Sequence, residues 1–328
     1  MSAGAPELLT GGEEGLRIEA EGAEREIAAR SPMQLFWRRL RRDKVAMVAL
    51  GFVVLIVLTA ILAPVIVKVV GTPQPNVTNA DLTDDFGQPL GPRDGHPFGV
   101  DKLGRDVFSR VVYGSRVSLE VAFIATGLIV LIGVSVGLIA GYYRGWVDTL
   151  LTRAMDLLLA FPVLVLAIGI GVACSGRDGC FGGLIQPGLP VVIFVITLTT
   201  WPYMARIVRG QVLSLREKEF VEAAQSLGAS DRRILFREIL PNLVAPIIVY
   251  STILIPQNIL YEAALSFLGV GIDPGTPSWG AMLADAASIF REAWWFMTFP
   301  GLALLLTVLA FNLVGDGLQD ALNPRNTK

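Results

Sequence analysis

Six stretches of the chain carry no Asp, Glu, Lys, Arg or His: residues 45–67, 121–143, 157–176, 189–205, 242–261 and 293–315. A bilayer core roughly 30 Å thick takes about 20 apolar residues per helix, which these runs meet or nearly meet. Buried runs in a soluble protein are shorter, about 10–14 residues, and broken by polar faces. The pattern predicts an all-α membrane protein of about six transmembrane helices, near 45–67, 118–143, 150–174, 189–208, 242–261 and 293–315. Pro162, Pro202, Pro246 and Pro256 fall within or at the ends of the runs. Membrane helices tolerate them because neighbouring segments satisfy the freed carbonyls. Gly127, Gly133, Gly137 and Gly141, at near-helical spacing, let helices approach closely.

Composition agrees: 53% of residues are apolar and only 17% are charged. A net charge of −2 offers no basic excess for a nucleic-acid partner, so the distribution of charge says more than its sum. Arg38, Arg39, Arg41, Arg42 and Lys44 precede the first run, which sets that end in the cytoplasm of a bacterial inner membrane by the positive-inside rule. Counting on, the segment around Arg144 and the loop 206–242 are cytoplasmic, 176–187 and 262–292 are outside, and both termini are cytoplasmic. Residues 1–32, rich in Glu and Gly, read as a disordered acidic tail, and 33–328 as the membrane domain. The first apolar run begins too late and is too long for a secretory signal peptide.

Catalytic chemistry is hard to find. The lone histidine, His96, sits in the turn-rich outer segment GPRDGHPFGVDKLGRD. The apolar runs hold none of the polar groups that an intramembrane protease or a proton-coupled carrier keeps at mid-membrane. A stand-alone secondary transporter working through backbone and hydroxyl groups stays open as the alternative to a multi-subunit system, and a membrane enzyme as a third class. Cys174 and Cys180 share one outer, Gly-rich loop, either as a disulfide on the oxidising side of the membrane or as two free thiols. No histidine lies near them, which speaks against a metal site.

The loop 206–242 is the informative segment. Phe220, Ala223, Ala224 and Leu227 follow the i, i+3, i+4, i+7 spacing of one helical face, and Glu217, Glu219, Glu222 and Gln225 fill the rest. Gly228 stands where a helix ends in a left-handed residue. Ser230 can cap a second helix, which runs through Ile234, Leu235 and Ile239 into the fifth membrane segment. A helix, a tight turn and another helix outside the bilayer suit docking against a soluble partner.

Glu222, Ala223, Ala224, Gly228 and then Ile239, Leu240 and Pro241 resemble the EAA motif of permease subunits in binding-protein-dependent ABC importers. Residues 96–119, HPFGVDKLGRDVFSRVVYGSRVSL, and 262–283, EAALSFLGVGIDPGTPSWGAML, resemble signatures of the dipeptide, oligopeptide and nickel permease group. The arginines before the first run and the closing DGLQDALNPR, residues 316–325, are similar to its C-type subunit. Glu238 departs from the group, which often has His there.

The resemblance implies the type I ABC importer permease fold and a non-catalytic subunit of an ATP-driven importer of di- or oligopeptides. It implies a second homologous permease, two ATP-binding subunits, an extracytoplasmic substrate-binding protein and surrounding membrane lipid as partners. The ATPase-coupling residues would be Glu222, Ala223, Ala224, Gly228, Ala229 and Ser230. No cofactor is expected on this chain, which lacks a GxxxxGK[ST] loop; ATP and Mg belong to the partner ATPase subunits.

Overall fold

A helix satisfies its own backbone polar groups, which hydrocarbon cannot do for it, and the chain uses that solution almost throughout. The computed structural model describes residues 32–84, 87–174, 176, 179–270 and 275–322. Residues 1–31 of the expected tail, and 271–274 and 323–325 of the two later signatures, lie outside the described residues.

The helices are α1 (Pro32–Arg42), α2 (Lys44–Ile61), α3 (Ala63–Val70), α4 (Val107–Tyr143), α5 (Gly145–Leu159) and α6 (Val163–Cys174). There follow α7 (Leu189–Leu215), α8 (Glu219–Ser226), α9 (Asp231–Phe267), α10 (Trp279–Ala286) and α11 (Trp294–Leu322). Five of them, α2, α4, α7, α9 and α11, are long and apolar enough to cross a membrane. The bent pair α5–α6 is the sixth candidate.

That bend corrects the single helix expected near 150–174. α5 and α6 meet at 84° around Ala160, Phe161 and Pro162. Pro162 has no N–H to give and pushes the residue before it out of helical geometry. α5 is moreover tied sideways to α7: Arg209 donates to both oxygens of Asp148 at 2.5 and 2.8 Å, and Arg206 pairs with Asp156 at 2.5 Å. The other boundaries move outward. The first expected span, 45–67, divides at Leu62 where Pro64 opens α3, and α4, α7, α9 and α11 each run past their charge-free stretches.

The centre of the bundle is the contact of α4 with α7. Gly133, Gly137 and Gly141 line one stripe of α4, and a Cβ on them would lie 2.6 Å from Met204 Cβ, 2.6 Å from Ala205 O and 2.7 Å from Val212 Cβ respectively. The helices therefore touch backbone to side chain, as small residues permit in a membrane. Against this pair pack α9 and then α11, with α2 closing the outside. Gly317 of α11 rests on Ala46 of α2, so both ends of the described chain lie at one end of the bundle.

That end also carries the α4–α5 corner and α8. The opposite end carries residues 71–106, the loop before α7, and α10. Among the described residues there is no β-strand there, only isolated bridges such as Arg93 with His96 and Val100 with Asp106. Trp295 of α11 clamps this segment by donating from Nε1 to Val100 O at 3.1 Å over Gly99, whose φ of +72° no L-residue adopts readily.

The glycine stripe gives a paired test. Gly137→Ala places a methyl against backbone and should cost about 1–3 kcal/mol in thermal unfolding of the detergent-solubilised protein. Gly127→Ala, with nothing within 4 Å, should leave the unfolding midpoint unchanged. Equal midpoints would contradict a tight α4–α7 seam.

Candidate functional site

α8 is a two-turn helix anchored along one side. Val221 is fully buried in the cluster that includes Val212, Ile234 and Ile239, and Ala224 and Ala229 pack partly against the same cluster. Glu219 and Glu222 occupy its first turn, the positive end of the helix dipole. Its far end closes as a Schellman motif: Ala229 N–H donates to Ala224 O at 3.0 Å and Gly228 N–H to Gln225 O at 2.9 Å. Gly228 has φ +75°, as the left-handed position requires, and nothing lies within 4 Å of where its Cβ would be.

The face read from periodicity is divided. Ala224 turns inward with Val221, whereas Phe220, Ala223 and Leu227 project outward, Leu227 being 88% exposed. Glu222 and Ser230 are exposed as well. Ser230 stands at the N-cap of α9 but makes no side-chain cap bond. The neighbouring Asp231 carboxylate instead accepts from Tyr142 Oη at 2.8 Å.

Three contacts fix the loop to the end of α4. Besides Tyr142 with Asp231, Arg216 donates to Tyr142 O at 2.5 Å and Arg144 pairs with Glu217 at 2.5 Å. A stretch of π-helix, Ile234–Ile239, then leads into the rest of α9. Such wide turns recur where a helix has to adjust at a functional site. The site is thus an exposed apolar and acidic tip on a braced stem.

A second polar constellation lies at the opposite end. Asp101 accepts from Arg105 Nε at 2.6 Å and lies 3.7 Å from Arg110 Nε; Arg105 also reaches Asp285 at 3.6 Å. Asp106 caps α4 by accepting from Ser109 N at 2.7 Å and holds His96 Nδ1 at 2.8 Å. Glu262 is fully buried in α9, accepting from Ser118 of α4 and Ser266, each at 2.9 Å. Together these contacts pin residues 71–106 and α10 over the bundle. Cys174 and Cys180 are bonded, with Cα atoms 4.7 Å apart, and exposed Phe181 and Leu184 follow the bond in the chain.

Residues 133–328 match the family model of the binding-protein-dependent transport system inner membrane component, more than half of the chain. The chain belongs to that family. It is a permease subunit of an ABC importer. Residues 31–89 of the permease also match the N-terminal TM domain of oligopeptide transport permease C. The permease is 40% identical over 302 residues to the dipeptide transport system permease protein DppC of Alkalihalophilus pseudofirmus, covering 92% of this chain and 93% of that one. It is 44% identical over 296 residues to the glutathione transport system permease protein GsiD of Escherichia coli, covering 90% and 91%. Among solved structures it is similar to a chain of the inward-facing MetNI methionine ABC transporter, with a TM-score of 0.54 and 20% identity over 65% of this chain and 96% of that one. That likeness fixes the type I importer permease fold.

Sequence reasoning located α8 and its terminating glycine but missed the brace, because Tyr142, Arg144, Arg216, Glu217 and Asp231 meet only in three dimensions. Tyr142→Phe tests the brace. Loss of the hydroxyl–carboxylate bond should cost about 1.5 kcal/mol, roughly tenfold in local opening, read as faster amide exchange across α8. Exchange in α7 should stay as it was. Unchanged exchange in α8 would remove Tyr142 from the brace.

Proposed function

We propose that the permease imports short peptides or peptide-like solutes and that α8 is its coupling helix, the element through which partner ATPase subunits drive the pore. One observation carries this: α8 presents Phe220, Glu222, Ala223 and Leu227 outward from a stem that is buried and hydrogen-bonded on its other side. An exposed apolar tip on a rigid base is what a docking element needs, and its acidic groups suit a basic partner cleft.

On this reading the permease forms half of a translocation pore with a second homologous subunit. Two ATP-binding subunits carry ATP and Mg and do the hydrolysis, and an extracytoplasmic binding protein delivers the solute. The α8 end then lies in the cytoplasm of a bacterial inner membrane together with both termini. The arginines of α1 support that orientation. The end built from residues 71–106 and α10 faces the binding protein. The substrate class rests on relatives named for dipeptide and glutathione transport.

Movement would be transmitted through the stem. Closure of the ATPase pair displaces α8, the Tyr142, Arg144 and Arg216 contacts pass the displacement to α4, and the π-helical turns let α9 follow without breaking its lower half.

Gly228→Val tests the coupling role. In the isolated chain nothing lies within 4 Å of the added Cβ, so the cost there is the left-handed backbone, which a β-branched residue adopts with strain. Labelled dipeptide uptake should fall at least tenfold, while the amount in the membrane and co-purification of the second permease stay normal. Normal uptake would rule α8 out as the coupling element.

A further inference from the structure

Beside the coupling loop, one side of the bundle is left open. α4 and α9 wall a groove of about 680 Å³, from Val130 and Leu131 at one end to Tyr143 at the other. Val130 to Tyr143 spans about 20 Å of helix, slightly more than one leaflet of a hydrocarbon core roughly 30 Å thick. Along that length the lining is hydrocarbon apart from Ser135, whose hydroxyl is taken up by Leu131 O of its own helix at 2.7 Å.

The chemistry changes at the loop end. Tyr143 and Arg232 close the groove, and Arg232 and Phe236 also line an adjoining cavity of about 490 Å³ with Ser230, Arg233 and Arg237. The three arginines are exposed, and among the described residues no carboxylate lies within 4.0 Å of any of them. Asp231, their neighbour in sequence, is engaged by Tyr142. A cluster of guanidiniums without a carboxylate partner thus sits at the mouth of an apolar trough, beside the ring of Tyr143.

We infer that this groove is a binding site for an anionic phospholipid, with an acyl chain along α4 and α9 and the phosphate among Arg232, Arg233 and Arg237. A phospholipid joins a hydrocarbon tail to an anion in one molecule, which is the order of chemistry along the groove. Guanidinium forks match phosphate oxygens, and basic pockets between membrane helices on the cytoplasmic side hold acidic headgroups. A protein occupant would have to bring an apolar ridge and a cluster of carboxylates in the same register. The inference needs the fold and the membrane, and it does not depend on which solute is carried or on α8 being the coupling helix.

The test uses the assembled importer in phosphatidylcholine vesicles containing phosphatidylglycerol as a minor component, with photoreactive benzoylphenylalanine at Ile139 in the groove. Irradiation followed by mass spectrometry should give a phosphatidylglycerol adduct enriched about tenfold over its share of the vesicle, the equivalent of 1.4 kcal/mol. The triple variant Arg232→Gln, Arg233→Gln, Arg237→Gln should return the ratio to the vesicle composition. The same probe at Val54, on the outer face of α2, should follow the vesicle composition in both proteins. A cross-link from Ile139 to the second permease or to an ATPase subunit would overturn the proposal, as would an adduct ratio at Ile139 equal to that at Val54.

Discussion

The close approach of α4 and α7 is the contact from which the rest of the permease is laid out. Lipid tails provide no hydrophobic drive between helices, so association depends on how closely two surfaces fit. Gly133, Gly137 and Gly141 remove every side chain from one stripe of α4 and let Met204, Ala205, Val208 and Val212 of α7 sit on its backbone. The seam fixes the two helices in register as well as in distance. Tyr142 and Arg144 emerge just beyond Gly141, and Arg216 and Glu217 just beyond Val212, so the groups that brace α8 are brought together by packing that begins inside the membrane.

The two ends of the bundle solve opposite problems. At the end of residues 71–106 an irregular segment is immobilised by buried polar contacts: Asp101 between two arginines, Asp106 between a helix start and His96, Glu262 among serines. Buried charges are tolerable only when paired and hydrogen-bonded, and here the pairing holds loops in place rather than preparing chemistry. At the other end the polar contacts are half-exposed and few, and α8 projects from them. A segment pinned by buried polar pairs at one end and a narrow braced stem at the other would suit the coupling role proposed for α8.

Counting charge-free residues picks out stretches that fall largely within the long apolar helices, because that count measures what hydrocarbon tolerates. It measured helix length poorly, because helices continue after the first charge. α4 begins at Val107 since Arg110 finds Pro75 O and Asn76, and α9 continues past Glu262 since two serine hydroxyls satisfy its carboxylate. The single helix expected near 150–174 is broken at Pro162, and Asp148 and Asp156 tie its first half to α7, contacts that join residues 50 and 61 apart and leave no local signal. Gly228 was legible because its backbone angle is a local requirement. The brace was not, since its members lie 73, 74 and 89 residues apart in the chain.

The bent pair α5–α6 also bears on how the protein is made. α6 offers 12 apolar residues and α5 carries Asp148, Arg153 and Asp156, so the two are long and apolar enough to cross only as a pair. The partners that hold Asp148 and Asp156 lie 61 and 50 residues further along. The contacts that tie α5 sideways can therefore form only once Arg206 and Arg209 of α7 have been synthesised, so the bend is completed by a helix that comes after it in the chain.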